Sequence, residues 1–155
     1  MLKHFRQTFA SPDVLLIVGD HVGHGTYLYP DKMKTIETFS ELINNYLGDT
    51  PVLFQIGNND TIDHDQAPSS IDREDYYRAL RTHWFEKMDG NFKLKNNFSI
   101  KQTFMYGGFY QYDISSTVSV LVPNSMYYMI DNDMVPEGSV QLSSTGSNRS
   151  LSLPN

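Results

Sequence analysis

Short apolar runs and longer amphipathic stretches alternate along the chain. Residues 14–18, Val14-Leu15-Leu16-Ile17-Val18, form a continuous apolar run. That is the pattern of a strand buried on both faces, as in a parallel sheet. A second run, Val52-Leu53-Phe54-Gln55-Ile56, opens after Pro51. Between them, Ile36, Phe39, Ile43, Tyr46 and Leu47 recur at steps of three and four, one face of a helix over 32–47. Asp31 is placed to cap its start and Gly48 to end it. Strand, helix and strand in this length predict a βαβ unit with its two strands parallel in one sheet. Residues 1–12 are mixed in character and close on Ser11-Pro12, a break before the first strand.

Further on, a polar loop over 61–70 holds Pro68-Ser69-Ser70. A second helix is predicted over about 71–88, with Tyr77, Leu80 and Trp84 on one side. Residues 89–103 are polar and less regular. Residues 107–114 and 118–122 read as two strands, and the intervening Ser115-Ser116-Thr117 makes them an antiparallel hairpin. After Asn132 the chain turns Gly/Ser-rich, and Ser143–Asn155 reads as a disordered tail. The class is α/β: a βαβ unit followed by a helix and a hairpin.

Composition narrows the chemistry. The 155 residues suit one domain with a real core. A net charge of -6 disfavours generic binding to nucleic acid or to an anionic membrane, both of which need concentrated Lys and Arg. A negative chain can still bind phosphate where metal ions supply the positive charge. With no cysteine there is no disulfide framework, thiolate metal site or cysteine nucleophile. The first residues lack the apolar core of a signal peptide, and no stretch approaches the ~20 apolar residues of a membrane span. The compartment stays open.

Both strands of the βαβ unit end alike. The first runs into Gly19-Asp20-His21-Val22-Gly23-His24 and the second into Gly57-Asn58-Asn59-Asp60. Ligands in open α/β sheets bind outside the carboxyl ends of the strands. Each of these segments alone is an ordinary turn, because Gly, Asp and Asn are common turn residues. Their joint occurrence aims Asp20, His24, Asn58 and Asp60 at one place. Carboxylate, imidazole and amide donors on separate strand ends are what a pair of metal ions needs in order to activate water and clamp phosphoryl oxygens. Asp20 is placed to bridge such ions and Asn58 to ligate through its amide oxygen. His24 is a ligand or a phosphate contact, and Asp60 orients a neighbour. His21 reads as an exposed loop residue, and Asp63-His64-Asp65 as a solvated loop. A Gly-x-Ser-x-Gly elbow and a P-loop are both missing.

These segments resemble the calcineurin-like metallophosphoesterases. Gly19-Asp20 with Gly57-Asn58-x-Asp60 carries the likeness. Within the family, Gly19-Asp20-x-x-x-His24 and Gly57-Asn58-Asn59-Asp60 are similar to the branch of acid sphingomyelinase-like phosphodiesterases and endopolyphosphatases. Gly107-Gly108-Phe109-Tyr110 and the stretch from Val120 to Tyr128 resemble that branch as well. The resemblance covers about residues 12–132, with 133–155 as the tail. It implies a partial β-sandwich flanked by helices and divalent metal ions, two in the complete site (zinc, or manganese or iron). Asp20 and Asn58 would be metal ligands, with His24 and Asp60 as catalytic-site residues. It also implies a phosphate-containing small molecule, lipid or polyphosphate as substrate. Asn59 stands where most of the family has a histidine that protonates the leaving group. The family's Asp-x-His and Gly-His-x-His motifs are not found in this sequence. The resemblance therefore implies a partial domain completed by a missing segment or a partner chain, with impaired activity or a non-catalytic scaffold as the alternative.

Overall fold

A computed structural model describes residues 2–8, 12–129 and 132–133. The predicted βαβ unit is present. Strand β1 (Leu15–Ile17) pairs in parallel with β2 (Val52–Phe54), in the register Leu15↔Val52 to Ile17↔Phe54. Helix α2 (Tyr29–Leu47) makes the crossover and buries Ile36, Ile43 and Leu47 from the predicted stripe. It begins three residues earlier than the pattern suggested, with Pro30 in its first turn, where a missing N–H costs nothing. Asp31 therefore lies inside the helix rather than capping it, and Leu28 at the N-cap supplies no side-chain bond.

The two strands differ in burial. All three residues of β2 are buried, but Leu16 is 51% exposed and the following Val18 is 79% exposed. The expectation that 14–18 is buried on both faces is corrected: side chains alternate between the two faces of a strand, and the face of β1 that carries Leu16 is left open.

The outer edge of β2 is closed by side chains rather than by a strand. Asn91, fully buried, accepts from Val52 N at 2.7 Å and donates to Val52 O at 3.0 Å and Trp84 O at 2.6 Å. The Tyr110 hydroxyl accepts from Phe54 N at 2.9 Å and donates to Phe54 O at 3.1 Å. Both groups thus stand in for a strand backbone and satisfy polar atoms that water cannot reach.

The second predicted helix is two pieces. Helix α3 (Arg73–Arg81) passes into a single π-helical turn, Thr82–Glu86. The wider turn lets neighbouring Trp84 and Phe85 both face inward. Trp84 stacks on Phe54 with ring centroids 5.2 Å apart, and Phe85 meets Phe104 edge-on at 4.9 Å. Region 89–103, expected to be irregular, is helical. A 3-10 turn (Asp89–Asn91) leads into α4 (Phe92–Asn96) and α5 (Phe98–Gly107). Asn97 caps α5 by accepting from Ile100 N at 3.1 Å, and Gly108 ends it in the left-handed region at φ +69°. The strand expected from Gly107 therefore starts only at β3 (Tyr110–Asp113). It pairs antiparallel with β4 (Ser119–Val122) as the predicted hairpin. Its alternation is clean: Tyr110 and Tyr112 are buried, Gln111 and Asp113 exposed. At the amino end, Leu2–Thr8 form a short helix, α1, where no element was predicted.

The result is a mixed α/β arrangement with two small sheets. The predicted tail, Ser143–Asn155, lies outside the described residues. Among the described residues no helix is long and apolar enough to cross a membrane.

Candidate functional site

The carboxyl ends of β1 and β2 meet because two glycines let them. Gly19 has φ +92° and Asp20 φ +54°, so the chain turns sharply through two left-handed residues. Asp is among the few side chains that tolerate this region. A Cβ on Gly19 would sit 2.8 Å from Gly57 Cα; one on Gly57 would sit 2.2 Å from Asp20 N and 2.3 Å from Asp20 Oδ1. The intruding contact at Gly57 includes backbone and cannot swing aside. Gly57→Ala is expected to destabilise the fold by about 3 kcal/mol, as overpacking against backbone does. A urea-unfolding midpoint equal to that of the parent chain would refute this.

With the strands this close, Asp20 reaches across the gap, and its Oδ1 accepts from Asn59 N at 3.1 Å. Asp60 works from beneath and is fully buried. Its Oδ1 accepts from Val22 N at 3.0 Å, and its Oδ2 accepts from Gly57 N at 2.9 Å and pairs with His21 Nδ1 at 2.8 Å. One carboxylate thereby ties the loop after β1 to the loop after β2. Asp60 holds Val22, Gly57 and His21 in place through these bonds.

His21 corrects its expectation. Its side chain is fully buried, not exposed, with ring centroids 5.4 Å from Phe39, 5.7 Å from Phe54 and 5.1 Å from Trp84. The pairing with Asp60 draws it inward, and its Nε2 has no partner among the described residues.

The upper rim gathers more groups than the sequence reading assembled. Asn58 Nδ2 donates to Asp65 Oδ1 at 3.0 Å and lies 3.3 Å from His64 Nε2. His64 Nδ1 lies 2.7 Å from Asp65 Oδ2, and its Nε2 lies 3.0 Å from Asn59 Oδ1. The His24 ring stands 5.7 Å from that of His64. Asp65 is the second non-glycine residue in the left-handed region, at φ +65°. So Asp63-His64-Asp65 is not merely a solvated loop; it folds back onto Asn58. The signal in the sequence was the imidazole between two carboxylates six residues past a candidate ligand.

Lys32 of α2 anchors this loop from below. It is 3% exposed and donates from Nζ to Thr61 O at 2.7 Å and Ile62 O at 3.2 Å. Burial lowers its pKa, opposed by Asp63 and Asp60. Asn59 keeps its N–H on Asp20 and its amide oxygen on His64, and it carries no titrating proton to donate.

Asp20 Oδ2 and Asn58 Oδ1 remain without hydrogen-bond partners among the described residues. Both are hard oxygen donors that suit a divalent cation. They are only part of a donor set: among the described residues no three His, Asp or Glu side chains come together to hold a metal. A family model described as calcineurin-like phosphoesterase matches residues 1–137.

Proposed function

This chain belongs to the calcineurin-like phosphoesterase family, and we propose that its strand-end cluster binds and hydrolyses a phosphodiester or phosphoanhydride of the acid sphingomyelinase or endopolyphosphatase type. The observation that carries this reading is the approach of Gly19-Asp20 to Gly57, which leaves one oxygen each of Asp20 and Asn58 unengaged at adjacent strand ends. On this reading Asp20 and Asn58 are two ligands of a divalent-metal pair (zinc, or manganese or iron) whose other ligands lie outside the described residues. Asp20, Asp63 and Asp65 would repel a phosphate unless a cation stood among them. On this reading the exposed imidazole of His24 contacts phosphate oxygens at the rim; the ring of His64, braced by Asp65, stands beside it. Asp60 and His21 hold the two loops in register.

The test is hydrolysis of bis(p-nitrophenyl) phosphate and of polyphosphate by the purified chain with manganese or zinc. Asp20→Asn is expected to lower metal-dependent turnover about 100-fold or more, the scale of losing a ligand's contribution to metal affinity. Unchanged turnover would sink the reading. A second reading, a scaffold that no longer turns over, is supported by the incomplete donor set. Elemental analysis after equilibration with zinc separates the two: near two ions per chain supports the enzyme, near zero the scaffold.

A further inference from the structure

A groove of about 780 Å³ lies between α3, the π-helical turn and α5. It shares no lining residue with the strand-end cluster. Four cations line it, Arg73, Arg78, Arg81 and Lys101, against two acids, Glu74 and Glu86. Both acids are already engaged. Arg78 pairs with Glu74, and also with Asp75 at 2.8 Å. Arg81 pairs with Glu86 and gives its other terminal nitrogen to Lys95 O at 3.0 Å, while its Nε stays buried with no partner among the described residues. Arg73 and Lys101 line the same groove with no acidic partner among the described residues. Two positive charges are thus left unbalanced in one groove of a chain whose net charge is -6. Apolar surface adjoins them. The Arg73 guanidinium lies 5.8 Å from the centroid of the Tyr106 ring, Tyr106 is 56% exposed, and Met105 lines the groove beside it.

We propose that this groove is a second binding site, for a small phosphomonoester carrying an aromatic or heterocyclic body. A phosphate dianion matches the two uncommitted cations, and a guanidinium suits phosphate oxygens in a planar two-pronged contact. A monoanionic carboxylate would balance only one of the two. The flat body of the ligand rests on Tyr106 and Met105, where ring stacking and the thioether both favour an aromatic partner.

The probe is adenosine 5′-monophosphate, titrated calorimetrically into the full chain at low ionic strength with a chelator present, so that no turnover intervenes. One site is expected. The double substitution Arg73→Gln with Lys101→Gln should raise Kd at least tenfold, and Lys101→Gln alone, at an exposed position, should raise it measurably with an unchanged melting temperature. Adenosine and inorganic phosphate should each bind at least tenfold more weakly than the monophosphate. Asp20→Asn should leave Kd unchanged. The proposal is overturned if the monophosphate does not bind, if the double variant binds as well as the parent, or if phosphate alone binds equally tightly. It is also overturned if Asp20→Asn abolishes the binding, which would move the ligand to the strand ends.

Discussion

Asn91→Leu is expected to lower the stability of the fold by about 3–5 kcal/mol, a large part of the ~5–15 kcal/mol typical of a domain. The volume is nearly kept, so no cavity accounts for the loss. What goes is the partner of three buried backbone groups, Val52 N, Val52 O and Trp84 O. Each group left unsatisfied costs roughly 1–3 kcal/mol. Asn91→Asp should also be destabilising: it keeps an acceptor for Val52 N but turns a carboxylate toward two carbonyl oxygens. Urea unfolding followed by far-ultraviolet circular dichroism gives the check, with a lower midpoint and an unchanged slope expected. A loss below about 1 kcal/mol in Asn91→Leu would show that water or a shifted backbone replaces the amide.

The second large effect belongs to Asp60. Asp60→Ala removes the acceptor of Val22 N and Gly57 N and the partner of His21. About 3–5 kcal/mol should be lost, the scale of breaking a buried pair on one side. Asp60→Asn is milder, at about 2 kcal/mol, because its single oxygen can still accept at the Oδ2 position, while its amide nitrogen then faces the Val22 N–H, donor against donor. The order Ala worse than Asn, read from melting temperatures, is the diagnostic. Equal losses would mean that the second carboxylate oxygen and its charge, absent from both variants, set the whole cost. Both variants should also lose metal-dependent turnover beyond their fraction unfolded, since the loops carrying Asp20 and Asn58 would no longer be tied together.

The parts of the fold that were legible are those where burial and period coincide locally. Ile36, Ile43 and Leu47 mark α2 because a helix lying on a sheet buries one stripe. Tyr110 and Tyr112 mark the hairpin because a half-buried strand alternates. The run 14–18 marks a strand, but its burial on both faces depends on what packs over each face, which its own residues do not encode, and Leu16 is exposed. Helices α4 and α5 escaped notice because they bury few residues among lysines and asparagines. Leu94 alone is buried in the first, and Ile100, Phe104 and Gly107 in the second. In the site, Asp20, His24, Asn58 and Asp60 stood out through their spacing after two strands. The burial of His21 did not, because it follows from a contact with Asp60, 39 positions away. The engagement of His64 with Asn58 and Asn59 depends on a left-handed turn at Asp65 that its neighbours do not announce.

The side-chain closure of β2 also bears on the order in which the chain folds. The groups that finish this strand lie 39 residues downstream at Asn91 and 56 downstream at Tyr110. Amino-terminal segments leave the ribosome first, and contacts across long separations form late because loop closure must precede them. The edge of β2 in the nascent βαβ unit therefore stays bare through the synthesis of α3; Asn91 can cover its Val52 end before α4 is made, and the Tyr110 hydroxyl, which follows α5, completes the seal at Phe54.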